Sequence, residues 1–285
     1  MNLPGLAVTG STGALGRLVA ADLAAAGLAQ RLLVRDPARA PDLAGAVPVR
    51  SEYAATPAVV ESLAGVETLL WVSGAEDAER LAQHRAMLDS IVEAGVRHVV
   101  YTSLFGAAPE CTFLLGRDHW QTEQWVRESG VAFTFLRDNL YLEFVPMLAG
   151  EDGVIRGPAG TGRMAAVSRR DIAAVASTVL RDPAAHAGAT YDLTGPDSFT
   201  LTEAAERLTK MLGRPHRFVD ETRHEAYASR RRYDAPEWLV DAWVSTYTAV
   251  AAGELDGVTG DVERVTGTPP LSLEDVLART IPPLP

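Results

Sequence analysis

Three glycines near the start of the chain have the spacing and the neighbours that phosphate binding requires. Gly10, Gly13 and Gly16 follow a short apolar run and precede an alanine- and leucine-rich pattern that predicts a helix. In this order of strand, turn and helix, the first glycine permits a sharp turn, the second lets a phosphate approach the backbone, and the third lets the helix pack closely. The helix N-terminus then faces a pyrophosphate. The residues that we expect to bind it are Gly10, Ser11, Thr12, Gly13, Ala14, Leu15 and Gly16.

An arginine after the second predicted strand indicates which dinucleotide is bound. Arg35 follows the apolar run that ends at Val34, and Asp36 comes one position later. At this place in a dinucleotide-binding fold, an acidic residue accepts a hydrogen bond from the ribose 2′-OH of NAD, whereas an arginine accommodates the 2′-phosphate of NADP. We therefore expect NADP(H). An exposed strand-end arginine without a ligand remains the alternative, because the chain is rich in arginine.

Two further pairs of residues follow predicted strands at the edge where the cofactor is expected. Glu52 and Tyr53 come after the third strand, where the adenine lies in such folds. Ser73 and Gly74 end the fourth strand, and their small size lets the cofactor pass close to the backbone. All four are candidate cofactor-binding residues.

The order of predicted elements defines the fold class. A helical pattern, a glycine and then an apolar run recur at Gly27, Gly65, Gly95 and Gly130. Each glycine ends a helix, and a strand follows directly. Strands that alternate with helices predict an α/β fold, here a Rossmann-type doubly wound parallel sheet with a smaller C-terminal substrate lobe.

Domain boundaries follow from where this alternation weakens. Residues 1–148 are predicted to form an NADP-binding Rossmann domain, to which residues 168–195 return. Residues 149–167 and 196–285 then form a substrate-binding lobe. The glycine-rich stretch 150–162 predicts a loop or a short hairpin within that lobe.

Composition excludes several classes of protein. The net charge of −11 argues against nucleic-acid binding, and no apolar run reaches the ~18–20 residues of a membrane span. Cys111 is the single cysteine, and no basic leader is seen, so we expect a cytoplasmic protein. The six histidines lack metal-ligand spacing, so no metal is expected. The expected partner is a small-molecule substrate, and a monomer and a homodimer both remain open.

Motifs of a known family are spread over most of the chain, in residues 9–16, 34–37, 101–104, 119–123, 136–141, 168–173, 191–196 and 266–270. Together they resemble the NmrA-like group of atypical short-chain dehydrogenases/reductases, in the branch of NAD(P)H quinone oxidoreductases and triphenylmethane reductases. The resemblance implies that Ser103, His119 and Tyr141 take part in catalysis. It also implies that Ser103, Glu123 and Asn139 contact the cofactor.

The chain departs from the wider superfamily at the usual proton donor. Ser103 matches the catalytic serine, but the Tyr and Lys positions of the Tyr-x-x-x-Lys pair map to His119 and Glu123. Lys210 is the only lysine, and no tyrosine precedes a lysine by four residues. Ordinary alcohol dehydrogenation is therefore in doubt. The family pattern also usually has glycine where this chain has Asp138, which could alter the floor of the pocket.

The role of His119 has two interpretations at this point. Its ordinary pKa lies near neutrality, so it could donate a proton. It could equally be a structural histidine that is hydrogen-bonded to Glu123 one helical turn away.

Three functional hypotheses follow. The leading one is an NADPH-dependent oxidoreductase that transfers hydride to an electron-poor conjugated acceptor such as a quinone or an enone. The stabilised anion that results does not require a Tyr–Lys pair for its protonation. The alternatives are a non-catalytic NADP(H) sensor of the NmrA type and a tailoring ketoreductase that acts on a bulky polyketide-like substrate.

Overall fold

The computed structural model describes residues 3–280, which form two compact units. Of the described residues, the first unit contains 3–104, Asp118–Arg137 and Arg169–Tyr191. The second contains Phe105–Arg117, Asp138–Ser168 and 192–280. Residues 105–117, 138–148, 168 and 192–195, which the sequence analysis assigns to the dinucleotide-binding domain and its return, lie in the second unit.

Eleven strands form within residues 3–280. In chain order they are β1 (Leu6–Thr9), β2 (Gln30–Val34), β3 (Ala46–Arg50), β4 (Thr68–Trp71), β5 (His98–Leu104), β6 (Ala132–Asp138), β7 (Val154–Gly157), β8 (Arg163–Met164), β9 (Thr190–Leu193), β10 (Phe199–Thr200) and β11 (Arg217–Asp220).

Seven of these strands form one sheet in the order β3-β2-β1-β4-β5-β6-β9. The pairs β1–β2, β1–β4, β2–β3 and β4–β5 are parallel. The order reverses direction at β1, which is the topology of a doubly wound sheet. The prediction of a Rossmann-type α/β fold is therefore confirmed. The chain leaves the first unit at the carboxyl ends of β5 and β6 and not at a single linker, which explains why the sequence pattern misplaces the boundaries.

Ten α-helices lie within the described range. They are α1 (Ala14–Ala25), α2 (Pro57–Leu63), α3 (Arg80–Glu93), α4 (Leu114–Glu128), α5 (Arg169–Arg181), α6 (Leu201–Leu212), α7 (Arg223–Arg230), α8 (Glu237–Ala251), α9 (Asp261–Thr266) and α10 (Leu273–Thr280). Short 3₁₀ helices cover Pro37–Arg39, Leu142–Leu148, Pro183–His186 and Arg231–Tyr233. None of the helices in residues 3–280 combines the length and the hydropathy that crossing a membrane requires.

The glycines predicted to separate helices from strands have the required backbone. Gly27, Gly65, Gly95 and Gly130 have φ between +73° and +77°, the left-handed region that a side chain disfavours. Each lies two residues after the last residue of a helix, just beyond the C-cap, where a left-handed glycine commonly ends a helix.

The core of the first unit lies against the central strands. Trp71, Tyr101 and Phe135, from β4, β5 and β6, are inaccessible to solvent and pack with leucine and valine side chains of the neighbouring strands and helices. All residues of β2 are buried, whereas β3 at the sheet edge is largely accessible. The burial pattern therefore follows the position of each strand in the sheet.

The second unit adds a long-range pairing to one prediction. The stretch 150–162 begins with a short antiparallel turn, in which Ala149 bridges Ile155 and Gly150 N–H donates to the Val154 carbonyl at 3.2 Å, and its strand β7 also pairs in parallel with β11. Strand β8 pairs with β10 in the antiparallel sense. The glycines there serve close packing: a Cβ on Gly157 would lie 2.2 Å from the Tyr247 ring, and one on Gly162 would lie 2.0 Å from the carbonyl oxygen of Val250.

Candidate active site

The turn between β1 and α1 has the geometry of a phosphate-binding loop. Gly10 has φ +66°, and a Cβ on Gly16 would lie 2.4 Å from the Gly10 carbonyl oxygen, so both positions require glycine. Gly13 is the N-cap of α1, and it offers no side chain to the first N–H groups of the helix. The first turn of α1 contains no acidic residue, so the positive helix end stays uncompensated.

The remaining residues of this turn fit a pyrophosphate. Ser11 is buried, and its Oγ has no hydrogen-bond partner in the described part of the chain. Thr12 is half-buried and Ala14 is exposed, whereas Leu15 packs inward. An orphaned hydroxyl beside uncapped N–H groups is what a bound anion would satisfy.

Arg35 lies immediately after β2, and its side chain is exposed. It has no ion-pair partner among residues 3–280, so its guanidinium is available to a ligand. The neighbouring Asp36 is committed, because its carboxylate accepts a hydrogen bond of 3.1 Å from Ala38 N–H and caps the 3₁₀ helix that follows. Of the two residues that could contact the ribose, the Arg35 guanidinium is therefore available, whereas the Asp36 carboxylate already accepts a hydrogen bond.

Five side chains hold the backbone at the carboxyl end of β4, and we call them the β4 clamp. The Thr9 hydroxyl accepts a hydrogen bond of 2.9 Å from Val72 N–H, and the Tyr53 hydroxyl donates to the Val72 carbonyl. The Thr102 hydroxyl accepts one of 2.8 Å from Ser73 N–H. His84 and Arg80 complete the clamp by binding Gly74. The segment 72–74 is therefore fixed before any ligand arrives.

His84 can act in the clamp only while it is uncharged. Its Nε2 accepts a hydrogen bond of 2.9 Å from Gly74 N–H, so the ring hydrogen lies on Nδ1, which is 2.9 Å from the Thr122 hydroxyl. Burial and then the Arg80 charge lower the pKa of His84 to about 3. Arg80 donates from Nε to the Gly74 carbonyl at 3.0 Å. Both polar groups of Gly74 are thereby satisfied.

Glu52 and Tyr53 were predicted to lie near the adenine, and only one of these two side chains is exposed to solvent. Glu52 is exposed. The Tyr53 hydroxyl points inward to Thr9, 2.8 Å away, and burial raises the pKa of this phenol to about 12. Tyr53 thus contributes to the clamp, and its ring packs edge-on against Trp71.

Ser103, near the end of β5, gives its hydrogen to Glu123. Its Oγ lies 2.6 Å from Oε1 of that carboxylate, which is inaccessible to solvent. Arg137 binds the same carboxylate with two hydrogen bonds, from Nε at 2.8 Å and from Nη2 at 2.7 Å. The buried charge of Glu123 is therefore paired, and Ser103 presents lone pairs and not a hydrogen to any ligand.

His119 has other partners than the sequence analysis expects. Its Nε2 lies 2.9 Å from Nη2 of Arg80, and its Nδ1 lies 3.0 Å from the Tyr101 hydroxyl. A guanidinium only donates, so Nε2 accepts and the single ring hydrogen lies on Nδ1. The interpretation of His119 as a partner of Glu123 is wrong, because Glu123 is occupied by Ser103 and Arg137. Burial, followed by the nearby Arg80, lowers the pKa of His119 well below 6.5.

The remaining candidates lie in the second unit. Asn139 is buried, and its amide is engaged at both ends: Nδ2 donates to the Leu255 carbonyl at 3.0 Å, and Oδ1 accepts from Leu140 N–H at 2.7 Å. Tyr141 is half-buried, and its hydroxyl donates to Oδ2 of Asp138 at 3.3 Å. Within residues 3–280, no three histidine, cysteine, aspartate or glutamate side chains are grouped as a metal site requires.

Sequence reasoning missed the residues that support these candidates. Thr9 and Thr102 are polar residues inside otherwise apolar strands, and that contrast could have marked them. Arg80 and His84 lie one turn apart on α3 and carry no motif. Arg137 contacts Glu123 because β6 packs against α4 in the fold, and no local spacing in the sequence indicates that contact.

Comparison with known proteins identifies the family. A family model described as NAD(P)H-binding matches residues 10–183. The chain is 32% identical to quinone oxidoreductase 2 of Escherichia coli, over 95% of this chain and 96% of that protein. It is also 32% identical to the NAD(P)H azoreductase of Xenophilus azovorans, over 92% and 93%.

Solved structures agree with this result. The NADPH complex of the E. coli quinone oxidoreductase QOR2 superposes with a TM-score of 0.88 at 31% identity, and covers 96% of this chain and 99% of that one. The NADP(H) complex of the Citrobacter sp. triphenylmethane reductase gives a TM-score of 0.85 at 28% identity, over 97% and 99%. The resemblance drawn from the sequence motifs is confirmed, and with it the expectation of an oxidoreductase. The chain belongs to the NAD(P)H-binding, NmrA-like family.

Proposed function

We propose that this protein is an NADPH-dependent reductase of electron-poor conjugated acceptors, with quinones as the leading substrate class. Relatives that cover nearly the whole chain are named as a quinone oxidoreductase and an azoreductase, and both names describe the reduction of conjugated acceptors. Family membership supports the cofactor, and the chemistry of the site supports the class of acceptor.

The observation that carries the proposal is that the Ser103 hydroxyl already donates its hydrogen to Glu123. In a reductase of unactivated ketones, hydride addition forms an alkoxide, which requires a well-placed acid. Here Ser103 donates to Glu123, and the neutral His119 directs its one ring hydrogen to Tyr101. A quinone avoids this requirement because its reduced anion is stabilised by conjugation. The first unit is therefore suited to acceptors that need little acid assistance.

Each part of the first unit has a proposed role toward the cofactor. NADPH, when bound, supplies the hydride. The turn from Gly10 to Gly16 binds the pyrophosphate, and Arg35 binds the 2′-phosphate with a charge-assisted pair. The β4 clamp holds Ser73 and Gly74 in place beside the cofactor. Ser103 offers an acceptor to a donor group such as the nicotinamide carboxamide.

The direct test is NADPH oxidation by the purified protein against a panel of acceptors. We expect turnover with quinones and other conjugated acceptors, and little with simple ketones. NADH should support slower reduction at equal concentration. Activity restricted to ketones would contradict the acceptor class. Tight NADP⁺ binding without turnover of any acceptor would favour a cofactor sensor instead.

The environment proposed for this activity follows from composition. The strongly acidic net charge, −11, makes nucleic acid an unfavourable partner, and the substrate is a small molecule. We place the protein in the cytoplasm, where NADPH is available. Gel filtration over a range of concentrations would distinguish a monomer from a homodimer.

A further inference from the structure

A buried carboxyl without a charged partner lies at the end of β6. Asp138 is 2% exposed, and its Oδ1 is buried without a hydrogen-bond partner in the described part of the chain. Its Oδ2 lies 3.3 Å from the hydroxyl of Tyr141, three residues later. Doubly wound folds bind their ligands at the carboxyl ends of the strands, which is where this pair is placed.

The contrast with Glu123 shows what this carboxyl lacks. Both are buried acids, but Glu123 is held by two hydrogen bonds from the Arg137 guanidinium. Around Asp138, the phenol of Tyr141 is the titratable group that acts on the carboxyl within residues 3–280. Burial raises the pKa of Asp138 well above 3.8, and the Tyr141 hydrogen bond opposes this only in part. An uncompensated buried carboxyl keeps its proton.

Asp138 and Tyr141 differ in their exposure to solvent. The Asp138 oxygen Oδ1 is sealed from solvent, so a ligand does not touch it directly. Tyr141 is half-buried, and its ring stacks on the exposed Phe144 at a centroid distance of 5.6 Å. The backbone of Tyr141 is anchored by its pairing with Val167. The outer member of the pair is therefore accessible and fixed, while the inner member lies out of contact with water.

We propose that Tyr141 and Asp138 form a two-residue proton relay, in which Tyr141 is the catalytic residue and Asp138 is the positioning residue behind it. This inference rests on the proposed function and extends it to acceptors whose reduced form needs a proton, such as enones. The relay would supply the acid that Ser103 and His119 do not.

The step balances with the hydride that the proposed activity provides. Hydride adds to the β-carbon of the enone, and the C=C electron pair moves to give an enolate. The Tyr141 O–H bond breaks, and its proton goes to the enolate. Because Tyr141 donates to Oδ2, the Asp138 proton lies on Oδ1, so the carboxyl turns about its Cβ–Cγ bond and then gives this proton to the phenolate oxygen. The carboxylate left behind is buried without a cation, so it takes a proton back from water through Tyr141 once the product has gone.

The first experiment asks whether Asp138 holds a proton in the cofactor-free protein. Infrared spectroscopy at about neutral pH should show the carbonyl stretch of a protonated carboxyl, which Asp138→Asn removes and Tyr141→Phe shifts. Asp256→Asn is the matched control. The Asp256 carboxylate is exposed and hydrogen-bonded by Ser198, which lowers its pKa, so the band should be unchanged. Absence of the band in wild type, or its survival in Asp138→Asn, would overturn the relay.

The second experiment measures acceptor dependence. Asp138→Asn should lower kcat for an enone by about 10²–10⁴-fold, the usual contribution of acid catalysis, and lower kcat for a quinone by a smaller factor. Asp256→Asn should change neither. Equal losses for both acceptors, or no loss for the enone, would overturn the relay while quinone turnover by wild type still supported the proposed function. Failure of wild type to reduce any acceptor would overturn the proposed function and the relay together.

Discussion

Arg35 and Asp36 are adjacent at the end of β2, yet only the Arg35 side chain is available to contact a ligand. The aspartate caps the turn at Pro37–Arg39, whereas the arginine is exposed. A carboxylate that accepts from its own turn is poorly placed to accept from a ribose hydroxyl. We therefore expect cofactor preference in this chain to depend on the Arg35 guanidinium, and it can be tested at that residue.

Arg35→Ala should weaken NADPH binding and leave NADH binding nearly unchanged. The lost contact is a hydrogen-bonded pair between charged groups, which contributes about 1.5–3 kcal/mol. This corresponds to a loss of roughly 10- to 150-fold in affinity. Dissociation constants for both cofactors, measured by fluorescence titration, give the comparison. Arg39→Ala removes an exposed arginine of the same turn and should change neither constant. Equal affinity of wild type for both cofactors would contradict the assignment.

Gly13→Val should abolish cofactor binding while the fold survives. Gly13 has φ −91°, which any residue adopts, and an added Cβ would lie 3.3 Å from the Gly10 carbonyl oxygen. The Gly10 carbonyl must then shift by a few tenths of an ångström to accept the Cβ, and the side chain would occupy the space that a pyrophosphate needs. Gly260→Val is the matched control, because Gly260 is also a helix N-cap, with φ −95° and open space around it. Unchanged NADPH affinity in Gly13→Val would show that the turn is only structural.

At the scale of elements, the β4 clamp links two strands, one helix and the loop after β3 to a single short segment. Thr9 belongs to β1, Thr102 to β5, and both Arg80 and His84 to α3. Each supplies a donor or an acceptor that the end of a parallel strand otherwise lacks. The position of Ser73 and Gly74 is therefore set by the packing of several elements.

Thr9→Val should destabilise the protein and weaken NADPH binding together. Valine has nearly the same shape, but Val72 N–H loses its acceptor, whereas the Tyr53 hydroxyl can still donate to the Val72 carbonyl. A buried donor without a partner costs about 1–3 kcal/mol. Urea unfolding and NADPH titration measure the two effects. Thr178→Val removes a hydroxyl that only donates to a carbonyl of its own helix, at 2.9 Å, so its loss should be smaller. A Thr9→Val protein as stable as wild type would show that the clamp contributes little.

Sequence patterns predicted the helix ends and caps that depend on only a few neighbouring residues. Gly27, Gly65, Gly95 and Gly130 mark helix ends because a left-handed backbone selects glycine, and each was visible without a structure. The capping box at Thr200 and Glu203 is equally local, and the structure contains it. Contacts between distant segments gave no such signal. The parallel pairing of β7 with β11 depends on the packing of the second unit, so the sequence showed only a glycine-rich stretch.

The same distinction applies to the candidate site. Gly10, Gly13 and Gly16 were found because their spacing reflects the turn itself, in which the left-handed backbone of Gly10 and the close packing of Gly16 require glycine. The partners of His119 and Glu123 were not predictable, because helical spacing suggests that these two side chains meet each other. In the fold, each meets a residue from another element, Arg80 for His119 and Arg137 for Glu123.

On the scale of the whole molecule, His84, His119 and Asp138 are buried groups whose pKa shifts favour the uncharged form. Burial lowers the pKa values of His84 and His119, and it raises that of Asp138. Their effects on stability have opposite signs. A histidine that stays neutral when folded destabilises the protein as the pH falls below its unfolded pKa of about 6.5, because only the unfolded chain then gains the proton. The carboxyl acts in the opposite direction.

Asp138 should make the folded protein less stable as the pH rises. Above pH 3.8, its ordinary pKa, the unfolded chain releases the proton while the folded carboxyl retains it. The free energy of unfolding then falls by about 1.4 kcal/mol per pH unit until the pH passes the raised pKa. Asp138→Asn removes this loss, so the stability of the variant relative to wild type should increase with pH and then level off.

Urea unfolding of wild type and Asp138→Asn between about pH 4.5 and 8 measures that difference directly, because contributions from all other groups cancel. Asp256→Asn serves again as the control. Its exposed carboxylate has a lowered pKa, so its contribution is lost only as the pH falls through that pKa, and the difference from wild type should be flat across this range. A flat difference for Asp138→Asn as well would mean that the carboxyl is ionised when folded, and a proton relay through Tyr141 would then have no proton to deliver.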